Sequence, residues 1–324
     1  MKILGIGSAL TDLLYRLPDD EWLNKLGLAK GSMTLINKEE SLSILKKSDG
    51  MPRVDVSGGS AANMICGLAT LGTESGFIGK TGNDGFGAFF SENLKKTGAS
   101  AHIIITEDDN SGTALTFVSP DSDRTFATYL GASSALLPEE LSPDIFGAYD
   151  MLYMEGYLVF NTELVNRIVE IVQEKNMLLA IDMASFNVVA ENLPMFEKLV
   201  YEHADFVFAN EHEAFAFTGK DPENAAEKMS GEGRVVVVKT GADGSIVSGN
   251  GNIIKVPACK ATPIDTTGAG DLYAAGFLYG VDRKAPLHTC ARIGSLVAAK
   301  VIETMGPKIS DDEWFRLKEE IKNY

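Results

Sequence analysis

The sequence predicts an α/β fold in which a central, mostly parallel sheet is covered by helices on both faces. Short apolar runs rich in β-branched residues alternate with longer amphipathic stretches, and this alternation is typical of parallel sheets with helical crossovers. With 324 residues, of which 45% are hydrophobic, the chain can bury a large core. Because no internal repeat or linker divides it, we expect one domain over residues 1–324.

The predicted elements follow from the spacing of apolar residues. Strands are predicted over residues 3–7, 76–79, 151–154, 178–182, 206–208, 235–239 and 253–256. Apolar residues recur at helical spacing over residues 60–71, 86–96, 162–175, 210–217 and 287–303, which predicts helices there. In such sheets ligands bind at the carboxyl ends of the strands.

Two stretches, residues 12–36 and 113–129, interrupt the alternation. Both read as strands separated by turns, without intervening helices, and 113–118 and 124–129 resemble the two strands of a hairpin. From the residues alone, these pieces either cover a substrate site or extend the main sheet at the surface.

Composition excludes several classes of function. The net charge of −16 argues against nucleic-acid binding, which needs clustered Lys and Arg. The three cysteines are far apart and indicate neither a disulfide framework nor a zinc site. No apolar run is long enough to span a bilayer, so we expect a cytoplasmic protein with reduced thiols.

The most informative motif is DTTGAGD, residues 265–271. Its glycines stand where a loop enters a helix, and the free amides and positive dipole end of such a helix bind anions. We therefore predict that the amides of Gly268, Ala269 and Gly270 form an anion hole. Asp271, in the first helical turn, would take the proton of an attacking hydroxyl; the alternative is an aspartate that only complements the helix dipole.

A second glycine-rich helix start lies at residues 57–63. Gly58 and Gly59 would let backbone amides approach a polar ligand. Asn63, one turn into the helix, has the donor and acceptor that suit paired hydroxyls. A tight turn with a locally bonded asparagine is the alternative.

Two nucleotide-binding motifs are nearly present but incomplete. The run Gly5-x-Gly7-x-x-Leu10 lacks the third glycine of a dinucleotide fingerprint, and Glu74 occupies the first glycine position of a P-loop ending at Lys80. Rossmann-type and P-loop sites are therefore not predicted.

Together, the motifs resemble those of the PfkB/ribokinase family of ATP-dependent carbohydrate and nucleoside kinases. Residues 58–63 and 79–87 match the N-terminal signature of the family, and residues 265–271 match its C-terminal signature. Two shorter family features also occur in order, NxxE at 210–213 and TGxxG at 240–244. The resemblance covers the whole chain and is strongest to the adenosine-kinase-like branch.

The resemblance implies a ribokinase-like fold with a small β lid formed by residues of about 12–36 and 113–129. It also implies transfer of the γ-phosphate of ATP, with Mg²⁺ and, as in many relatives, K⁺. The implied substrate-binding residues are Asp12, Gly58, Gly59, Asn63 and, from the lid, Arg124. The implied nucleotide-binding residues are Asn210, Thr240, Gly241, Gly244 and Ser295, and the implied metal residues, for Mg²⁺ through water or for K⁺, are Glu213 and Asp265.

The acceptor is a small molecule, and its identity stays open at this point. One hypothesis is that the acceptor is the 5′-hydroxyl of adenosine or a similar nucleoside, and another is that it is a free or phosphorylated sugar. A third hypothesis, from another class, is that the protein binds nucleotides or sugars without catalysis. A nucleobase needs an apolar or aromatic slot; its candidate residues, which are equally lid-core candidates, are Met33, Leu35, Phe117 and Tyr157. We expect no nucleic-acid or membrane partner, and either a monomer or a homodimer.

Overall fold

The computed structural model describes residues 1–121, 123–231 and 233–324. Its strands are β1 (Ile3–Ile6), β2 (Leu10–Arg16), β3 (Met33–Leu35), β4 (Arg53–Gly58), β5 (Ser75–Gly82), β6 (Ser100–Thr106), β7 (Gly112–Val118), β8 (Arg124–Tyr129), β9 (Met151–Glu155), β10 (Leu178–Asp182), β11 (Phe206–Asn210), β12 (Val235–Lys239), β13 (Ser245–Gly249) and β14 (Asn252–Val256). Its helices are α1 (Glu21–Leu26), α2 (Lys38–Lys47), α3 (Ser60–Leu71), α4 (Gly85–Lys96), α5 (Pro143–Phe146), α6 (Thr162–Glu174), α7 (Phe186–Glu191), α8 (Leu193–Lys198), α9 (Glu211–Thr218), α10 (Pro222–Ser230), α11 (Ala269–Asp282), α12 (Leu287–Val301) and α13 (Asp311–Ile321). Ser122, in the turn of the predicted hairpin, lies outside the described residues.

The main sheet has nine strands within the described residues, in the order β14-β13-β12-β11-β10-β9-β1-β5-β6. All neighbouring strands from β12 to β6 pair in parallel, and only β13 and β14 pair in antiparallel. Helices cover both faces, so the strands read as continuous apolar runs. The predicted α/β fold with a mostly parallel sheet is confirmed.

The sheet separates two hydrophobic cores. Successive residues of β9 point to opposite faces, so Leu152 packs in the core under α6, α8, α9 and α10, and Tyr153 packs in the core under α3, α4, α11 and α12. The second core contains both glycine-initiated helices, α3 and α11, which contact each other directly. This packing brings the two helix starts to the same edge of the sheet.

A second, five-stranded sheet has the order β3-β8-β7-β2-β4 within the described residues. It contains strands from both stretches that interrupt the alternation, but one expectation was wrong and one strand was not predicted. The short helix α1 lies within residues 12–36 because Leu23 and Leu26 bury an apolar stripe there. The strand β4 was not expected, since Arg53 and Asp55 hide its apolar pattern.

One face of the second sheet has a core of its own. Leu13, Tyr15 and Phe117 pack there with apolar residues of α1 and α2, and the rings of Tyr15 and Phe117 stack at 5.2 Å.

Among the described residues, no helix combines the length and hydrophobicity needed to cross a membrane.

Candidate active site

The starts of α3 and α11 meet at the Asp271 carboxylate. Asn63 Nδ2 donates to Asp271 Oδ2 at 2.9 Å, and Ser60 Oγ donates to Oδ1 at 2.8 Å. These partners precede Asp271 by 208 and 211 residues. The two glycine motifs, so distant in sequence, therefore form one site at the carboxyl ends of the parallel strands.

The surroundings of Asp271 make it a stronger base than a free aspartate. Burial raises its pKa to about 6, while the hydrogen bonds from Asn63 and Ser60 act in the opposite direction and Asp182 adds to the rise. The side chain is only half-buried, so a ligand can reach it. A carboxylate with a pKa close to neutral is well matched to take a proton from a hydroxyl.

Free backbone amides surround the start of α11. Gly268, at φ 75°, turns the chain into the helix in a conformation that favours glycine. The amides of Gly268, Gly270 and Asp271 donate to no acceptor among the described residues, whereas the Ala269 amide donates to the Thr266 carbonyl oxygen at 3.2 Å. Ala269 is thus not among the free donors of the expected anion hole, and the amide of Asp271 is.

Arg124 connects the second sheet to this loop. Its guanidinium contacts the Thr267 hydroxyl and the Asp265 carboxylate. Asp265 also accepts hydrogen bonds from the amides of Thr267 at 2.7 Å and Gly306 at 2.6 Å. Burial acts to raise the pKa of Asp265, but Arg124 and the two amides outweigh it and hold that pKa below its usual value.

Asp265 was expected to hold Mg²⁺ through water or K⁺, and the structure gives its side chain different partners. The carboxylate is fully buried beside Arg124 and accepts from donors on both oxygens. Its observed role is to hold the loop that precedes the anion-binding helix start.

The predicted acceptor residues lie together around Asp12. A Cβ at Gly58 would stand 2.2 Å from Asp12 Oδ1, and one at Gly59 would stand 2.1 Å from the Ser8 carbonyl oxygen, so only glycine fits at both positions. Burial, and then the charge of Asp271, raise the pKa of Asp12 to about 7. Asp12 is therefore close enough to Asp271 for the two charges to interact.

The TGxxG turn is open on one side and closed on the other. At Gly241, which has φ 57°, a Cβ would meet nothing within 4 Å, and the amides of Gly241 and Ala242 make no hydrogen bond to the described residues. Thr240 closes the turn by donating its amide to the Gly244 carbonyl oxygen at 2.9 Å. A Cβ at Gly244 would stand 2.0 Å from the Val256 carbonyl oxygen. Gly244 therefore packs closely against the residues that follow β14, whereas Gly241 faces open space.

The hydroxyl of Ser295 forms hydrogen bonds within the protein. It is 6% exposed, and its hydroxyl accepts from the Cys259 amide at 2.9 Å. Its observed contacts fasten the loop after β14 to α12.

Asn210 and Glu213 form a reciprocal cap at the start of α9. Asn210 Oδ1 accepts from the amides of His212 and Glu213, each at 2.9 Å, and the Glu213 carboxylate accepts from the Asn210 amide at 2.7 Å and from Nδ2 at 2.6 Å. Burial, with a smaller contribution from Asp182, raises the pKa of Glu213 to about 7. Asn210 keeps one Nδ2 proton for a ligand.

Comparison with known proteins agrees with this arrangement of two glycine motifs around one aspartate. Residues 25–314 match the family model described as pfkB family carbohydrate kinase. The chain belongs to the PfkB family. The family resemblance drawn from the sequence motifs is thereby confirmed.

The similar proteins include both sugar and nucleoside kinases. An uncharacterized sugar kinase of Archaeoglobus fulgidus is 30% identical over 248 residues, which are 75% of this chain and 96% of that protein. The 5-dehydro-2-deoxygluconokinase of Bacillus subtilis is 28% identical over 280 residues, 82% of this chain and 85% of that protein. The crystal structure of adenosine kinase from Sinorhizobium meliloti superposes with a TM-score of 0.87 at 30% identity, covering 98% of this chain and 99% of that one. The chain is thus a ribokinase-like sugar or nucleoside kinase, a phosphotransferase that acts on a hydroxyl group.

This PfkB kinase has further charged site residues that the motifs did not reveal. Lys239 Nζ donates to Asp182 Oδ2 at 3.1 Å, and the Glu155 carboxylate accepts from the amides of Ala61 at 3.1 Å and Ser8 at 3.4 Å. Burial raises the pKa of Glu155 to about 7, against the effect of those hydrogen bonds. Lys239, Asp182 and Glu155 end the apolar strands β12, β10 and β9. A charged last residue of a buried strand is the sequence signal that would have found them.

The carboxylates of this PfkB kinase suit Mg²⁺ held through water. Among the described residues, no three His, Cys, Asp or Glu side chains lie close enough together to hold a metal ion directly. Asp182 and Glu213 are both buried and close enough for Asp182 to affect the pKa of Glu213. Mg²⁺ keeps several waters and needs only one or two protein carboxylates. This pair would hold the ion through water, with the oxygen lone pairs that their protein donors leave unused.

Proposed function

We propose that this PfkB kinase transfers the γ-phosphate of ATP to the primary hydroxyl of a ribose-containing nucleoside such as adenosine. The observation that carries phosphoryl transfer is the half-buried Asp271 carboxylate, oriented by Asn63 and Ser60 next to the free amides of Gly268 and Gly270. A base and an anion site within one helical turn are what this reaction requires.

In the proposed reaction, the acceptor oxygen bonds to the γ-phosphorus while the bond from that phosphorus to the β–γ bridging oxygen breaks. Asp271 takes the proton of the hydroxyl, and ADP leaves. The free amides and the dipole of α11 stabilise the charge on the transferring group. Arg124 adds a cation from the second sheet. Asp182 and Glu213 would hold Mg²⁺ through water, and the ion would supply positive charge to the phosphates.

The second sheet supports a nucleoside as acceptor. Cross-strand partners lie on the same face of a sheet, and Met33 pairs with Phe126, Phe126 with Thr116, and Thr116 with Leu14. Since side chains two residues apart share a face, Met33 is on the face that carries Asp12 and Arg124.

That face offers apolar surface for a nucleobase. Met33 and Leu35 are each 65% exposed. Outside this sheet, Tyr157, in the 3₁₀ turn that follows β9, is 37% exposed. Phe117, in contrast, is fully buried on the opposite face, where it belongs to the core of the second sheet. An apolar wall on the same face of the sheet as a carboxylate for vicinal hydroxyls is suited to a nucleoside.

A sugar or phosphorylated sugar is the second candidate acceptor, favoured by Lys308. Its positive charge acts to lower the pKa of Asp12, so it lies close to the acceptor residues. Its closest hydrogen-bond partner is Asn93 Oδ1 at 3.4 Å, and no carboxylate among the described residues pairs with it. An acceptor with a negative group would find a partner in this lysine.

The test is ADP release by the purified protein with ATP and Mg²⁺ across a panel of acceptors. The panel contains adenosine, other nucleosides, ribose, fructose and fructose 6-phosphate, with the Asp271→Asn variant as control for contaminating kinases. We expect the highest kcat/KM with a nucleoside. If the protein phosphorylates sugars and no nucleoside, the acceptor is a sugar instead of a nucleoside. If the protein binds ATP but phosphorylates no acceptor of the panel, the proposed reaction is contradicted.

A further inference from the structure

Lys239 is a buried cation with unused hydrogen-bond donors. Its side chain is 15% exposed, and among the described residues its ammonium group donates only to Asp182 Oδ2, at 3.1 Å. A lysine ammonium has three N–H donors, so two remain without a protein acceptor. Because buried donors are normally satisfied, the position indicates a ligand.

The ammonium group lies directly against the anion-binding helix start. A Cβ at Gly270 would stand 3.0 Å from Lys239 Nζ, 3.7 Å from Cε and 3.9 Å from Cδ. The lysine side chain therefore runs along the Cα of Gly270, whose amide donates to no acceptor among the described residues. A side chain at position 270 would separate this cation from the amides of the first turn.

Cations lie close to the start of α11. Lys239, whose Nζ is 3.1 Å from Asp182 Oδ2, lies against Gly270. On the other side of the loop, Arg124 contacts Thr267 and Asp265. The start of α11 thus lies between two cations, one from β12 and one from β8.

We propose that Lys239 is a catalytic residue that binds an oxygen of the γ-phosphoryl group at the start of α11. The inference rests on the proposed phosphoryl transfer and does not depend on the acceptor. Lys239 forms no covalent bond and moves no proton; it stays an ammonium ion. With its free donors it can contact the phosphoryl oxygen while it keeps its bond to Asp182, so charge is neutralised without rearrangement of the site.

The competing explanation is that Lys239 only neutralises Asp182. A buried ion pair adds little net stability, yet loss of one partner is costly because the other charge remains buried. Lys239→Met alone would therefore impair the protein under either explanation. The double variant Lys239→Met/Asp182→Asn removes both charges and therefore distinguishes the two explanations.

The experiment measures the Kd of AMP-PNP and of ADP, each with Mg²⁺ and without acceptor, by isothermal titration calorimetry, and kcat where an acceptor is known. AMP-PNP has a γ-phosphoryl group and ADP has none. Lys239→Met is compared with the wild type, and the double variant with Asp182→Asn, because Asp182 is also proposed to hold Mg²⁺. In both comparisons we expect AMP-PNP binding to weaken about 10-fold or more relative to ADP binding. The kcat should fall about 10²- to 10³-fold, and Lys239→Arg, which keeps the charge, should recover part of the loss.

The matched control is Lys80→Met. Lys80 is also a buried lysine paired with a carboxylate, 8% exposed with Nζ 2.7 Å from Glu140 Oε1, but it lies in β5 outside the site. This variant should lower the Tm and leave the ratio of the two Kd values unchanged.

Equal weakening of AMP-PNP and ADP, or a double variant with the kcat of Asp182→Asn alone, would overturn the assignment of Lys239. A wild-type protein that binds neither nucleotide would instead overturn the proposed function, so the two failures are distinguishable.

Discussion

Asn63 Nδ2 donates a 2.9 Å hydrogen bond to Asp271 Oδ2. This bond, together with that of Ser60 to the other oxygen, orients the carboxylate with respect to the free amides at the start of α11. The relationship joins the two helices that carry the glycine motifs.

Asp271→Asn should lower kcat about 10²- to 10⁴-fold, the range typical for loss of a general base. Asparagine has nearly the same shape but does not accept the proton of the acceptor hydroxyl. ATP binding should change little, since the amides of Gly268 and Gly270 remain. Steady-state ADP release and calorimetric titration with ATP check both parts, and a variant that retains a tenth of the wild-type kcat would remove the base assignment.

The kcat should rise with pH and level off above about pH 6. The reaction needs Asp271 ionised, and burial raises its pKa to about 6, so activity is lost as pH falls through that value. Ser60→Ala removes a hydrogen bond that favours the ionised form. The acidic limb of the pH profile should therefore move to higher pH in this variant.

The control for the pH profile is Ser310→Ala, which removes the N-cap of α13 outside the site. It should leave the acidic limb in place. If the acidic limb of the kcat–pH profile is identical in the wild type and Ser60→Ala, a group other than Asp271 limits the rate.

Arg124→Met should lower kcat/KM for ATP about 10²-fold, in the range seen for loss of one charge-stabilising group. It removes a cation from the transferring phosphate and leaves the buried Asp265 carboxylate with only its amide partners. Arg124→Lys should recover little, because an ammonium does not reproduce the forked contact to Thr267 and Asp265. Arg167→Met, which removes an exposed ion pair on α6, is the matched control, and equal kinetics for the two methionine variants would contradict the role of Arg124.

Thermal stability should decrease between pH 5 and pH 8, partly because of Glu155. Its side chain is 1% exposed, and burial raises its pKa from the usual 4.5 to about 7. The protonated form is favoured on folding, so this contribution is complete below about pH 4.5 and is lost as pH rises through 7.

Glu155→Gln should make the Tm depend less on pH over this range. The comparison uses the change of Tm with pH within each variant, because the substitution itself also alters hydrogen bonds to Ser8 and Ala61. An unchanged pH dependence of Tm in Glu155→Gln would mean that Glu155 is already ionised at pH 5.

Sequence reasoning reached the fold and the centre of the site because both have periodic or spaced signals. The bounds of α3 follow from the apolar spacing of residues 60–71, and the DTTGAGD run places Asp271 at a helix start. The pairing of Asn63 with Asp271 depends on the contact of α3 with α11, which no local pattern records. Lys239 and Asp182 were missed as site residues because they belong to no motif and their one sequence signal is a charge at the end of an apolar strand.

The expected roles that differ in the structure depend on hydrogen bonds at the level of single atoms. Whether the Ala269 amide is free is decided by the loop geometry that brings the Thr266 carbonyl within 3.2 Å. The Ser295 hydroxyl similarly accepts a hydrogen bond from the Cys259 amide, in the loop after β14. The spacing of residues in the sequence does not show which individual atoms form these hydrogen bonds.

The separate core of the second sheet has a consequence for how such enzymes diversify. Tyr15 and Phe117 support that sheet without help from the cores of the main sheet, while Asp271 and Lys239 belong to elements of the main sheet. Substitutions on the exposed face around Met33 and Leu35 can therefore accumulate without disturbing the groups proposed to move phosphate. Preference for one alcohol over another can drift while the transfer chemistry stays constant.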